Sequence, residues 1–198
     1  MDEILGKITC FVNLSLNGFF EGANHDISWH NVNEEFNRFA IGMLRETDVI
    51  LFGRRTYELF RDYWPNIPKD PKAPPSDLEI AALINNVQKI VFSKTLDKVE
   101  EKENWKNVKV VHNVNPEEIE VLKQQHSGKL DVGGNNVLIT FLNMKLVDEI
   151  QVMINPILIP EGNSFLKGIQ EKTKLRLLGT KVFESGNVLH RYGVIKSY

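Results

Sequence analysis

Two hydrophobic periods alternate along this chain, and their order predicts strands interleaved with helices. Lys7 to Leu16 is rich in β-branched and apolar residues and reads as a strand; it runs into the turn signal Asn17-Gly18 and then Phe19-Phe20-Glu21-Gly22. Residues 23–32 are read as polar, with Trp29 inside them. From Asn33 to Thr47, Phe36, Phe39, Ala40, Met43 and Leu44 fall on one face of a helix. Asp48 to Gly53 has the unbroken apolar character of a strand buried on both faces, and Arg54-Arg55-Thr56 opens a helical stretch to about Tyr63. Prolines 65, 68, 71, 74 and 75 make Trp64 to Asp77 a loop, read as a surface insertion and a candidate active-site rim. Asp77 is placed to cap a helix through Asn86, and Lys89 to Ser93 and Val108 to His112 are the next strands. Asn115, Pro116, Glu117 and Glu118 supply a cap, a first-turn proline and first-turn acids for a helix ending near Ser127-Gly128.

The strand Lys129 to Val132 then meets Gly133-Gly134 and becomes a helix with apolar positions Val137, Leu138, Phe141 and Leu142. Val147 to Leu158 reads as a long strand leading into Ile159-Pro160-Glu161-Gly162-Asn163, and 175–184 and 188–196 form a hairpin around Ser185-Gly186-Asn187. The expected fold is therefore α/β: a central, mainly parallel mixed sheet flanked by helices, closed by a C-terminal antiparallel hairpin.

Composition narrows the class. At 198 residues, 42% hydrophobic and 25% charged, the chain suits one soluble domain, and a net charge of −2 gives no reason to expect nucleic acid or an anionic membrane as partner. No apolar run approaches a membrane span, the start shows no secretory signal, and the single Cys10 cannot pair within the chain; a cytoplasmic protein is expected.

The candidate chemistry centres on Gly133 and Gly134. Without Cβ atoms there, the backbone turns sharply and admits a ligand, and the N–H groups of Asn135, Asn136 and Val137 at the following helix start favour an anion such as a nucleotide phosphate. A plain strand-to-helix turn is the alternative. Gly53, Arg54, Arg55 and Thr56 mark a second strand-to-helix entry, with Ser93 and Lys94 at the end of the next strand; the arginines are otherwise solvated helix-end charges and Ser93 a cap. His25 and His30 flank Trp29 without the spacing or carboxylate of a zinc helix, so no metal site is expected. Phe19, Trp29 and Trp64 form either an aromatic floor or core.

These motifs resemble a known family. Phe52-Gly-Arg-Arg-Thr-Tyr-Glu58 is similar to the Gly-Arg-X-Thr-(aromatic)-Glu motif of dihydrofolate reductases, Val132-Gly133-Gly134 to their glycine pair, Ile90-Val-Phe-Ser93 to their third nucleotide-side strand and Pro160-Glu-Gly-Asn-Ser-Phe165 to a later loop. Ser15-Leu-Asn-Gly-Phe19, Tyr63-Trp-Pro65 and Leu146-Val-Asp-Glu149 bring the chain nearer to dihydrofolate reductase-like proteins related to the carboxy-terminal domain of the bifunctional riboflavin-biosynthesis deaminase/reductase. The likeness runs from about residue 6 to 196.

It implies NADPH held across the carboxyl ends of the strands by Gly53, Arg54, Arg55, Thr56, Ser93, Lys94 and residues 133–137. It also implies hydride transfer to a flat heterocycle near Asn17, Phe19, Trp29 and Ser164. A ribosylaminopyrimidine of riboflavin biosynthesis is the most concrete substrate; a folate or other pterin, and a nucleotide-binding homologue without turnover, are the alternatives. The acid of dihydrofolate reductases, five positions after a tryptophan, falls on Glu34, where a partly buried carboxylate would relay a proton; the other reading is a first-turn helix acid. Asn17 stands where the nearer relatives carry Asp. A homodimer is expected, as is common among these relatives.

Overall fold

The structure, a computed structural model, describes residues 5–99 and 104–196. Among the described residues ten strands and five α-helices follow one another as β1 (Lys7–Ser15), β2 (Phe19–Gly22), α1 (Glu34–Arg45), β3 (Thr47–Gly53), α2 (Arg54–Tyr63), α3 (Pro75–Asn86), β4 (Gln88–Phe92), β5 (Val108–Val111), α4 (Pro116–Gln124), β6 (Lys129–Gly133), α5 (Asn135–Asn143), β7 (Glu149–Asn155), β8 (Gly162–Ser164), β9 (Lys174–Val182) and β10 (Val188–Ile195). Eight strands form one sheet in the order β5-β4-β3-β6-β1-β7-β10-β9, while β2 and β8 pair as a small second sheet. The pairs from β5 to β7 are parallel; β10 runs antiparallel to both β7 and β9. This is the expected mixed sheet with its C-terminal hairpin.

Period-2 alternation divides the core between the two faces of the sheet. On one face Ile8, Cys10, Leu51, Leu130, Val132 and Ile150 pack under Ile119 of α4 and Val137, Leu138, Phe141 and Leu142 of α5. On the other, Ile50, Phe52 and Val91 lie under Ile41, Tyr57, Ile80, Ile84 and Trp105. A separate cluster on that side joins Met153, Phe183 and Leu189 to Phe11, Phe36 and Phe39. β3 is sandwiched, and Val49 to Phe52 are all at most 5% exposed, as its unbroken apolar run requires.

Three boundaries differ from expectation for local reasons. Trp64–Lys69 is a 3-10 helix rather than an irregular loop, since proline in the first turn gives up an N–H that has no helical partner anyway. α3 starts at Pro75 with Pro74 in the cap position; Asp77 sits inside the first turn, where its carboxylate accepts a hydrogen bond from Asn37 Nδ2 at 3.0 Å. β7 is Glu149–Asn155, shorter than the run Val147 to Leu158, because Val147 is buried before the ladder begins and Pro156 cannot donate after it. Among the described residues no helix is long and apolar enough to cross a membrane, and no group of three metal-ligating side chains occurs.

Asp148 fastens the lower end of the sheet. Its carboxylate accepts from Ile8 N at 2.9 Å and Lys196 Nζ at 2.6 Å and forms an ion pair with Lys123 Nζ at 3.1 Å. Partial burial works to raise its pKa, but the bonds from Lys196 and Ile8 and the charges of Lys123 and Lys196 outweigh it, so the pKa lies below the ordinary value. A carboxylate with a depressed folded pKa contributes stability above its unfolded pKa of about 3.9 and loses it as pH falls through the lower folded value. Asp148→Asn is expected to cost about 1.5–3 kcal/mol at pH 7 in urea denaturation, with the gap to wild type closing below about pH 4.

Candidate active site

The carboxyl ends of the parallel strands converge on one edge, and a cleft opens there because two neighbours part company. β1 pairs with β6 only through Lys7↔Lys129, Ile8↔Leu130 and Thr9↔Asp131. Beyond that rung β1 continues with β7 alone, as far as Ser15↔Asn155, while β6 continues with β3, as far as Phe52↔Gly133. The two strands splay, and Thr9–Asp131 lies at the base of the opening.

One wall is a backbone cradle. α2 and α5 start side by side from Gly53 and Gly134, and neither start carries a side-chain cap, whereas Asn33 caps α1 and Asn115 caps α4. The first-turn amides of Arg54, Arg55 and Thr56, and of Asn135, Asn136 and Val137, are thus left for a ligand. Gly134 has φ +116°, and a Cβ there would stand 2.8 Å from Thr56 Oγ1; Val137 closes on Gly53 from the other side. Close approach of the two turns therefore needs glycine. This fits an anionic, nucleotide-like group. Gly134→Ala is expected to lower stability by about 1–3 kcal/mol, measured by chemical denaturation, through backbone strain and the clash with Thr56.

The predicted nucleotide-side residues divide into two kinds. Arg54 donates to Glu58 at 2.8 Å and to Thr95 Oγ1 at 2.7 Å, which joins the start of α2 to the turn after β4. Arg55 is exposed, 3.9 Å from the Glu21 carboxylate. Ser93 is buried and its hydroxyl accepts from the N–H groups of Thr95 and Leu96, shaping that turn, with exposed Lys94 beside it. Asn135 reaches away from its own helix, and its Oδ1 accepts from Leu166 N at 3.1 Å; Asn136 is exposed.

The small β2–β8 sheet continues from the ends of β1 and β7. It pairs Phe19 with Ser164 and Gly22 with Gly162, leaving Phe19 half-buried and Ser164 exposed. Asn17 is a tie: its Oδ1 accepts from Ser15 Oγ at 2.9 Å and its Nδ2 donates to Ile159 O at 2.8 Å. Glu21, which the motifs did not single out, accepts from His25 Nδ1 at 2.8 Å and Asn163 Nδ2 at 2.7 Å. Trp29 donates Nε1 to Asp26 O and stands edge-on to His30, whose burial lowers its pKa. Trp64 is partly buried, set near Phe60 and Tyr63 and packed against the core under α2 and α3.

Glu34 differs from expectation. Its side chain is 62% exposed in the first turn of α1, 3.8 Å from Arg38, and accepts from Ser76 Oγ at 3.0 Å. A partly buried carboxyl lies instead at Asp131, on the last rung that β1 and β6 share. Desolvation raises the Asp131 pKa to about 7 against the hydrogen bond from Thr9 Oγ1 at 2.8 Å and the charge of Lys129. Its one sequence signal is a lone acid two residues before the glycine pair in an otherwise apolar strand end. His112 lies just past β5, its Nδ1 2.9 Å from Ser93 O.

Residues 6–189 match the family described as the RibD C-terminal domain. The chain belongs to that family. A relative in Bacillus subtilis, the uncharacterized protein YyaP, is 28% identical over 183 residues, covering 92% of each chain. Among solved structures, a putative riboflavin biosynthesis protein from Shewanella sp. PV-4 superposes with a TM-score of 0.73 at 18% identity, covering 96% of this chain and 99% of that one. Dihydrofolate reductase from Enterococcus faecalis, complexed with NADP(H) and RAB-propyl, superposes with a TM-score of 0.61 at 18% identity over 97% and 98% of the two chains. The RibD-type chain thus has the fold that its motifs imply.

Proposed function

We propose that this member of the RibD C-terminal domain family is an NADPH-dependent reductase of a small heterocycle. The observation that carries the reading is the pair of uncapped helix starts, α2 and α5, held together glycine against side chain at the mouth of the β1–β6 cleft. In this reading the amides of Arg54 to Thr56 and Asn135 to Val137, with the Thr56 hydroxyl, bind the pyrophosphate. Arg54, Lys94 and Thr95, on the facing turns, receive the adenosine 2′-phosphate, for which Arg54 exchanges its bond to Thr95. When bound, the cofactor supplies a hydride. The chain's part is to orient the acceptor in the cleft and to screen it from water with the β2–β8 sheet.

The family and the Shewanella likeness favour an acceptor of the riboflavin type, most concretely 5-amino-6-(5-phosphoribosylamino)uracil. A pterin is the second reading, supported by the position of Glu34 at the start of the first helix, five residues after Trp29. The buried free Cys10 suits a reducing cytoplasm. The partner of the protein, in this reading, is a second copy: edge strand β9 leaves Leu177 57% and Val182 70% exposed, with Leu175 and Leu178 beside them.

Fluorescence titration with NADPH and NADH tests the nucleotide half. Wild type is expected to prefer NADPH, and Arg54→Ala to weaken NADPH binding about tenfold or more while changing NADH little, the size of one lost charge-assisted contact. Equal weakening of both nucleotides would remove Arg54 from the 2′-phosphate site, and no binding of either would reject the reductase reading. Binding with no turnover of pyrimidine or pterin acceptors would leave a nucleotide-binding homologue. For the dimer, analytical ultracentrifugation is expected to give twice the chain mass for wild type and the single-chain mass for Leu177→Asp; a monomeric wild type contradicts it.

A further inference from the structure

The lone carboxyl at the base of the cleft has no part in holding a nucleotide phosphate, and its surroundings assign it a different task. Asp131 occupies the last rung shared by β1 and β6, opposite Thr9, immediately before the strands diverge. Its side chain is on the sheet face that α1 crosses, as are those of Phe11 on β1 and Phe52 on β3, because alternate residues share a face. Those two aromatic groups belong to separate apolar clusters. Between them the sheet carries Thr9, Asp131 and Gly133 rather than large apolar side chains, so the opening between the strands ends on a hydroxyl, a carboxyl and bare backbone. Asp131 remains partly exposed while Thr9 is fully buried. Gly133, two residues along the same strand and roughly 7 Å away, begins the cradle.

We propose that Asp131 is the proton donor of the reduction, oriented by Thr9. The inference rests on the reductase reading. Reduction of a C=N group takes one hydride on carbon, which bound NADPH supplies in becoming NADP+, and one proton on nitrogen. The C=N π pair moves to nitrogen as the hydride arrives, and nitrogen takes the proton from the Asp131 carboxyl, leaving a carboxylate that accepts the Thr9 hydroxyl bond and regains its proton from solvent.

The charged and titratable neighbours suit this cycle. Lys129, on the same strand, ion-pairs with Glu46 at 2.6 Å, and Lys7 on β1 with Glu149 at 2.8 Å, so each cation already has a carboxylate. Cys10, next along β1, has its thiol pKa pushed up by burial and by Asp131 and stays neutral. Across β3 the partner is Ile50, and α1 turns Phe36, Phe39, Ala40 and Leu44 toward the sheet, all uncharged. Desolvation therefore governs the carboxyl, and its pKa of about 7 keeps it protonated in part at neutral pH.

The test is a carbon-13 NMR titration of the full chain labelled at aspartate carboxyls, with the Asp131 signal assigned by Asp131→Asn, run alone, with saturating NADPH and with saturating NADP+. The two nucleotides differ by the positive charge on the nicotinamide ring. Asp131 is expected to titrate near 7 alone and about one pH unit or more lower with NADP+ than with NADPH, since an opposite charge nearby favours the carboxylate. NADP+ binding at pH 7 should then release protons, and Asp131→Asn should abolish the release. Thr9→Val, which deletes one hydroxyl and keeps the shape, should raise the titration further and serves if the Asn variant does not fold. An ordinary aspartate titration, or the same titration in both complexes, overturns the proposal. Nucleotide fluorescence followed in the same samples keeps the outcomes apart: binding without the shift rejects Asp131 alone, and no binding rejects the reductase reading and Asp131 with it.

Discussion

The parting of β1 from β6 after one last shared rung is the constraint on which the rest of this molecule depends. A parallel pair held together along its whole length would close the carboxyl edge of the sheet. Here β1 keeps its ladder with β7 and β6 keeps its own with β3, while the alternate N–H and C=O groups on their near sides, past the last shared rung, face the gap between them. Each strand is still fixed on its far side, which makes the gap a permanent part of the scaffold.

The elements around the gap follow from it. Because β6 stays with β3, the turns that leave these two strands are neighbours, and their helices start side by side; Gly134 is required there because Thr56 already occupies the space a side chain would need. Because β1 stays with β7, the segments that leave those strands also meet, as the β2–β8 sheet, tied by Asn17 to Ile159 and by Glu21 to Asn163. One side of the cleft is thereby made of helix starts and the other of a small sheet. Apolar packing under α5 on one face and α1 to α3 on the other holds both sides to the same frame.

Much of this was legible in the residues. The buried run Val49 to Phe52, the cap Asn115 and the glycine pair each state a local physical requirement that the fold meets. The start of α3 was less legible because proline opens a helix as readily as it breaks one, and Asp77, two residues further on, has the residue type of a cap without being one. Glu34 is exposed and Asp131 desolvated for a reason no local pattern contains. Exposure at the start of α1 and desolvation at the strand fork are set by which elements pack above them, and the fork itself comes from pairings between residues more than a hundred positions apart. The β2–β8 pairing was hidden for the same reason, being short and remote in sequence.

The most direct measurement of the central claim, that the two helix starts beside the β1–β6 cleft hold a dinucleotide, is amide chemical-shift mapping of the labelled chain on addition of NADPH. The account predicts the largest changes at residues 54–56 and 134–137, with smaller ones from 93 to 96 and in β2. Changes concentrated at the opposite end of the sheet, or none at saturating NADPH, would contradict it.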